Sequence, residues 1–139
     1  VIYRNILDKT EHVVLTKGKI DPDKPTLVRM HRVDLAADML GQNESRRDNV
    51  PRALQAISSY DGAGVAVFIR DSNPAWLSER YGAEPGAALG ANVLRDYGVG
   101  AQILLDLGVR DMELLSNSAT VLPGSGGYGL RIVGRRELV

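Results

Sequence analysis

The chain has 139 residues, no cysteine, and 17 basic residues that balance 17 acidic ones. Balanced charge gives no electrostatic reason to expect binding to nucleic acid or to an anionic membrane. Without cysteine, the chain can form neither a disulfide nor a thiolate metal site. No apolar run approaches the roughly 18 residues that a membrane-spanning helix needs. We therefore expect one cytoplasmic domain, residues 1–139, with no nucleic-acid or membrane partner.

The first half of the sequence predicts a hairpin, one further strand and two helices. Short apolar runs separated by polar residues suit an antiparallel hairpin. Alternating polar and apolar residues around Val28 indicate a strand with two unlike faces. In chain order, these elements are a hairpin over 1–7 and 12–16, a strand over 26–33, a short helix over 34–40 capped by Asp34, a polar loop over 42–49, and a helix from Pro51 to about Tyr60.

The second half continues the alternation of strands and helices. The continuous apolar run from Gly64 to Ile69 is typical of a central strand covered on both faces. Alternating strands and helices indicate an α/β or α+β fold. The other predicted elements are a helical turn over 74–81, a loop over 82–90, a helix over 96–107 that ends at Gly108, a buried strand over 112–115, a loop over 123–127 and a last strand over 128–133.

Five segments, in the same order along the chain, carry a resemblance to a known family. The longest is LRDYGVGAQILLDLGVR at residues 94–110, and the others are HVVLTKG at 12–18, LVRMH at 27–31, LLSNS at 114–118 and GYGL at 127–130. Together they resemble GTP cyclohydrolase II over essentially the whole chain. The resemblance implies an α/β (α+β) layered fold with a mixed sheet and helices packed on it.

The resemblance also implies partners and a pathway. In many bacteria this kind of domain follows a 3,4-dihydroxy-2-butanone 4-phosphate synthase domain in one polypeptide, and the family is dimeric. The sequence starts at Val1 rather than at methionine. We therefore expect a homodimer, and we expect this chain to be the C-terminal part of a longer riboflavin-biosynthesis protein with an N-terminal synthase domain.

The zinc site of the family does not have its ligands in this sequence. The family activates water with a zinc ion held by three cysteines, and those positions align with Asp34, Ser45 and Arg47. A guanidinium cannot ligate a cation, and a hydroxyl is a poor substitute for a thiolate. The resemblance therefore predicts a domain without a metal or other cofactor.

The groups that handle protons and phosphate in the family are also altered. The aspartate that acts as general base aligns with Val93, which has no proton affinity, while the arginine two residues later is kept as Arg95. The phosphate-handling RQEGR loop aligns with Arg70–Pro74, which lacks the glutamate, the glycine and the second arginine. A family lysine aligns with Val121. We therefore expect no catalytic residue.

A residual anion site is the remaining functional candidate. Arginines and hydroxyls hold phosphate through charge-assisted hydrogen bonds. The matching residues are Arg29, His31, Arg95, Ser116 and Asn117. Each arginine also has an ordinary structural interpretation, as an exposed or ion-paired side chain. His31 also has a structural interpretation, since a histidine on a strand is often hydrogen-bonded to neighbouring protein groups.

A second candidate cluster contains His31, Asp34 and Asp38. A new metal site with oxygen and nitrogen ligands is one interpretation, but the spacing matches no recognised ligand pattern. The alternative is a helix-capping Asp34 and a solvated Asp38. The glycine-rich segment 123–127 lacks the strand, lysine and helix of a phosphate loop, so we expect a turn there.

Three hypotheses for function follow. The first is a non-catalytic GTP cyclohydrolase II-like domain with a structural or regulatory role beside a synthase domain, in which case the full-length protein is a lyase. The second is a regulatory module that binds a nucleotide or a sugar phosphate. The third is zinc-independent hydrolysis of a nucleotide.

Overall fold

The computed structural model describes residues 1–82, 90–117 and 129–138, with residues 90–95 described by their helical backbone alone. The strands are β1 (Ile2–Arg4), β2 (Glu11–Lys17), β3 (Thr26–Arg32), β4 (Gly64–Ile69), β5 (Asp111–Leu115) and β6 (Arg131–Arg136). The helices are α1 (Leu35–Leu40), α2 (Asn49–Ser59), α3 (Trp76–Tyr81) and α4 (Gly90–Asp106).

The strands form one mixed sheet in the order β1-β2-β4-β3-β5-β6. Strands β4, β3, β5 and β6 are parallel, and β2 is antiparallel to both β1 and β4. The chain leaves β4 and crosses β3 to reach β5, so the carboxyl ends of these three strands lie at the same edge of the sheet. We call it the carboxyl edge. In open α/β sheets, ligands bind at this edge.

The two faces of the sheet are covered by different helices. Successive strand residues point to opposite faces. On one face, Ala53 and Ile57 of α2 lie in a cluster with Leu27 and Ala66. On the other face, the cluster contains the α4 residues Ala101, Ile103 and Leu104 and the strand residues Val28, Val65 and Val67. We call these the α2 face and the α4 face.

The long helix α4 ends as the sequence predicts but begins earlier. Gly108 has a left-handed φ of 94°, and the backbone N–H of Val109 donates to Leu104 at 3.0 Å. This is the hydrogen-bond pattern of a glycine-terminated helix. The predicted start at Asp96 is wrong, because the helix extends back to Gly90. Residues 90–95 contain no proline and include good helix formers, so nothing in this segment stops the helix.

The last strand also differs from its prediction. It occupies Arg131–Arg136 rather than 128–133, and Tyr128 and the 123–127 segment lie outside the described residues. Its register is set by the partner strand: Asp111 pairs with Arg131, and the Arg131 guanidinium donates two hydrogen bonds to the Asp111 carboxylate at 3.1 and 3.0 Å. A strand positioned by backbone pairing and charge carries little apolar pattern to read.

The remaining predicted elements and the fold class are confirmed. The hairpin, the strand from Thr26, the helix capped by Asp34, the helix around Pro51 and the central strand from Gly64 are all present. Of the predicted 82–90 loop, residues 83–89 are outside the described part of the chain. Among the described residues, no helix has the length and apolar character to cross a membrane.

Candidate functional site

Three residues at the end of β3 and the start of α1 form a closed polar chain. Arg29 Nη1 donates to the backbone carbonyl of Leu115 at 3.1 Å, and its Nη2 lies 3.3 Å from His31 Nδ1. His31 Nε2 lies 2.8 Å from Asp38 Oδ2. His31 is buried, with 6% of its surface exposed. We call Arg29, His31 and Asp38 the closed chain, because these contacts join the three side chains to one another and to the backbone. Among the described residues, the buried Nε of Arg29 has no hydrogen-bond partner.

The prediction of a solvated Asp38 is therefore wrong. Its carboxylate accepts from the backbone N–H of Asp34 at 2.9 Å as well as contacting His31. The side chain is only 13% exposed. A carboxylate in this position satisfies two buried donors at once, which is a structural role. Burial lowers the pKa of Arg29 below its ordinary value, and the nearby Arg46 guanidinium acts in the same direction.

Asp34, the first position aligned with a zinc ligand, has its carboxylate fully engaged by protein donors. Its Oδ1 accepts from the backbone N–H of Ala37 at 3.3 Å and from the hydroxyl of Tyr81. Its Oδ2 accepts from Arg80 at 2.7 Å. Burial alone would raise the pKa of Asp34, but the hydrogen bonds from Tyr81, Ala37 and Arg80 hold it below its ordinary value. The carboxylate thus caps α1 and attaches α3 to it.

The other two aligned positions do not supply metal ligands. Ser45 lies in an exposed loop and donates its hydroxyl to Asn43 Oδ1 at 2.7 Å. Arg47 is exposed too, with Nε 3.9 Å from the carboxylate of Asp48. In the part of the chain that the structure describes, no group of three or more His, Cys, Asp or Glu residues could hold a metal ion. A zinc ion does not fit this donor set.

The predicted anion-site residues that follow β5 are hydrogen-bonded to the C-terminal segment. Ser116 donates its backbone N–H to Arg136 at 2.8 Å. The Asn117 side chain accepts from the Leu138 N–H at 2.7 Å and donates to the carbonyl of the same residue at 3.4 Å. Arg95 and Val93 lie in the first turns of α4, where only the backbone is described. The structure therefore brings Arg29 and His31 together and places Asn117 on the C-terminal segment.

A second group of polar residues, which the sequence analysis did not identify, lies on the α4 face at the carboxyl edge. It surrounds a cavity of about 210 Å³. The lining residues are Met30, Arg32, Arg46, Ile69, Arg80, Asp96 and Tyr97. We call this cavity the arginine pocket. Met30 and Ile69 supply an apolar wall, and three guanidinium groups supply positive charge.

Two of the three arginines are partly paired. Arg32 Nε lies 2.8 Å from Asp96 Oδ2, and its Nη2 lies 3.5 Å from Asp71. Arg80 uses Nη2 to contact Asp34. Arg46 is exposed, and its guanidinium has no hydrogen bond or ion pair within residues 1–82, 90–117 and 129–138. The pocket therefore keeps unused N–H donors, which suit a small anion.

The residues of this pocket come from five separate parts of the sequence, one of which is β4 with Ile69. Arg32 belongs to β3, Arg46 to the loop before α2, Arg80 to α3 and Tyr97 to α4. The only sequence indication was the alternation in β3, which places Arg32 on the opposite face from His31. Nothing in the spacing of Arg46 and Arg80 predicts that they meet.

Comparison with known proteins identifies the family. A family model described as GTP cyclohydrolase II matches residues 1–137. The chain belongs to the GTP cyclohydrolase II family. The mixed sheet with helices on both faces is consistent with this assignment, and the resemblance found in the sequence is confirmed.

Similar proteins of this family are longer than the chain. Riboflavin biosynthesis protein RibBA of Synechocystis sp. is 37% identical over 155 residues, which cover 99% of this chain and 27% of that protein. Monofunctional riboflavin biosynthesis protein RIBA 2, chloroplastic, of Arabidopsis thaliana is 36% identical, with 99% and 30% coverage. The chain thus spans less than a third of the length of these two relatives.

One solved structure is similar over almost the whole chain. It is RibBX from A. baumannii, described as a two-domain 3,4-dihydroxy-2-butanone 4-phosphate synthase. The similarity has a TM-score of 0.54 and 28% sequence identity, and it covers 99% of this chain and 34% of RibBX. The fold of this chain therefore occurs in a two-domain protein whose description names synthase activity.

Proposed function

We propose that this chain is a non-catalytic GTP cyclohydrolase II-type domain of riboflavin biosynthesis, with a structural or regulatory role beside a 3,4-dihydroxy-2-butanone 4-phosphate synthase domain. The names of the relatives support the pathway. The description of RibBX supports a synthase domain as the neighbour. In this proposal the chain is the C-terminal part of a longer protein, and the lyase activity belongs to the other part.

The engagement of Asp34 is the observation that carries the proposal. Of the three positions aligned with zinc ligands, only Asp34 offers a good donor, and its two oxygens already accept from Ala37, Tyr81 and Arg80. Releasing that carboxylate to a metal would leave the Arg80 guanidinium without its partner. Since removing one partner of a buried ion pair costs several kcal/mol, zinc would have to overcome that cost with a single oxygen ligand. The valine at the general-base position supports the same conclusion.

The test is hydrolysis of GTP by the purified protein, with and without added zinc. We expect no release of formate or pyrophosphate and no zinc retained after dialysis. A zinc-containing member of the family, assayed in parallel, is the positive control. Zinc-dependent formate release would contradict the proposal. Release of pyrophosphate without formate and without zinc would instead support the zinc-independent hydrolase.

A second candidate function is binding of a nucleotide or sugar phosphate as a regulatory ligand. The arginine pocket favours it, because Arg32, Arg46 and Arg80 line one cavity and keep N–H groups that no described residue accepts. The residues predicted from sequence, Arg29 and His31, contribute less to this candidate, because their polar groups are engaged in the closed chain. A thermal-shift titration with GTP, other purine nucleotides and ribulose 5-phosphate separates the two functions. No shift with any of them would leave the structural role.

The assembly and cellular location belong to the same proposal. We propose a homodimer, as the family resemblance implies, and a location in the cytoplasm. Light scattering of the purified protein tests the first part, and a mass equal to one chain would contradict it. Fractionation of cells that express the tagged full-length protein tests the second part.

A further inference from the structure

The arginine pocket is lined by side chains other than Arg29 and His31 of the sequence-predicted anion site, although Arg46 lies near enough to Arg29 to act on it electrostatically. Arg29 and His31 point to the α2 face, whereas Arg32, one residue further on, points to the α4 face. Arg46 and Arg80 come from segments that contributed nothing to the predicted site. The pocket is therefore a separate group of side chains at the same edge of the sheet.

The donors left over in the pocket are specific atoms. Arg32 contacts carboxylates through Nε and Nη2, which leaves Nη1. Arg80 contacts Asp34 through Nη2, which leaves Nε and Nη1. Arg46 keeps all of its guanidinium N–H groups. These donors have no acceptor within the described residues, and three guanidinium groups around one small space favour an anion with several oxygens.

Negative groups face the same arginines and limit the charge of the ligand. Asp96 and Asp71 lie against Arg32, and Asp34 lies against Arg80. These three carboxylates balance the formal charge of the three arginines, so the positive charge that remains is local to Arg46. Arg46 is the pocket arginine without a carboxylate partner among the described residues, so it supplies most of the attraction. One phosphate group matches this balance better than a triphosphate does.

The volume of the cavity limits the size of the ligand. At about 210 Å³, it is smaller than the roughly 300–1,000 Å³ that holds a drug-sized ligand. Met30 and Ile69 give the cavity an apolar wall, and Tyr97 adds a ring that carries a hydroxyl. Such a wall suits the carbon chain of a small molecule. The volume therefore favours a compact ligand over a purine nucleotide.

We propose that the arginine pocket binds a compact phosphate monoester, with the phosphate on Arg46 and the carbon part against Met30 and Tyr97. The remaining N–H groups of Arg32 and Arg80 complete the phosphate contacts. This inference rests on the second candidate function. It does not depend on whether the chain hydrolyses GTP. Formate release measures hydrolysis, so the two proposals can be tested separately.

The test is calorimetric titration of the purified protein with inorganic phosphate, ribose 5-phosphate and GTP. We expect ribose 5-phosphate to bind more tightly than either of the other two. The Arg46→Glu variant should weaken that binding at least about tenfold, as expected for loss of a charge-assisted contact and its replacement by repulsion. Its matched control is Arg47→Glu, which changes net charge equally from an exposed neighbour outside the pocket lining. We expect the control to change binding less than about twofold.

Nuclear magnetic resonance of the arginine Nε–H groups locates the ligand. Ribose 5-phosphate should shift the signals of Arg46 and Arg80 and leave that of Arg47 unchanged. Four results would overturn the proposal: no binding of ribose 5-phosphate, equal weakening by Arg46→Glu and Arg47→Glu, tighter binding of GTP, or equal affinity for inorganic phosphate. The last result would mean that the carbon part of the ligand is not recognised.

Discussion

Two groups of polar residues start from the same strand and differ in how many of their hydrogen-bonding groups have partners in the protein. The closed chain begins at Arg29 and His31, whose side chains point to the α2 face and find acceptors in Leu115 and Asp38. The arginine pocket begins at Arg32, on the α4 face, and includes Arg46, which has no partner among the described residues. Because strand residues alternate between faces, a step of one residue separates a structural group from a candidate binding site.

An arginine is a candidate for ligand contact when its guanidinium is not already held by protein acceptors. A buried guanidinium with protein acceptors stabilises the fold, and a ligand could recruit it only by breaking those bonds. An exposed guanidinium beside other arginines has donors to offer at no such cost. By this criterion, Arg46 is a better candidate than Arg29, although only Arg29 lies in a segment that resembles the family motif.

The largest expected effect comes from opening the closed chain. Asp38→Ala removes the acceptor for both His31 and the Asp34 N–H, and we expect a loss of about 3 kcal/mol in the free energy of unfolding, because two buried polar groups lose their partner. Urea denaturation measures it. Asp38→Asn, which keeps one acceptor oxygen, should cost less. If both variants are as stable as the wild type, the hydrogen bonds of Asp38 in the closed chain do not stabilise the protein in solution.

A second prediction concerns the packing that holds the α2 face in place. A Cβ at Gly64 would lie 2.5 Å from Ile57 Cγ2 in the buried interface between β4 and α2. We expect Gly64→Ala to destabilise the protein by about 2 kcal/mol through overpacking. Gly98→Ala is the control, since outside its chain neighbours and the adjacent helix backbone nothing lies within 4 Å of its added Cβ. Equal stability of the two variants would show that Ile57 moves without cost.

The sequence predicts the sheet and the Asp34 cap better than it predicts the pocket, for physical reasons. A local run of apolar residues predicts a strand such as Gly64–Ile69. Asp34 is recognisable as a helix cap because capping involves residues three apart in the sequence. The pocket depends on the distance between Arg32, Arg46 and Arg80, which is set by how α3 and the loop before α2 fold onto the sheet. No local sequence pattern predicts the distances between these three arginines.

Asp34 connects the closed chain to the arginine pocket. Acid should weaken this connection. Its pKa is held below the ordinary value of 3.8 by Tyr81, Ala37 and Arg80 despite burial. A depressed folded-state pKa gives stability that is present above the unfolded-state pKa and is lost as pH falls through the folded-state value. We therefore expect Asp34→Asn to cost roughly 1–2 kcal/mol at neutral pH. That difference from wild type should shrink as the pH falls below about 3.8.

Urea denaturation of both proteins at neutral pH and at about pH 3 measures this change. The asparagine still offers a side-chain oxygen to the Ala37 N–H, so the helix cap is kept, while the charge and the acceptor for Arg80 are lost together. A difference that stays constant with pH would mean that the charge of Asp34 does not stabilise its contacts with Arg80 and Tyr81.

The smallest expected effect is that of Arg46→Ala on stability. Arg46 is exposed and unpaired within the described residues, so its removal should change the free energy of unfolding by less than about 0.5 kcal/mol. Arg47→Ala is the control from the same loop. A loss in the free energy of unfolding well above that of Arg47→Ala would reveal a structural contact for Arg46. The guanidinium of Arg46 would then be held by protein partners, as that of Arg29 is in the closed chain. A negligible cost leaves its guanidinium available to a ligand, because donors that contribute nothing to the folded chain can be directed at a ligand without loss of stability.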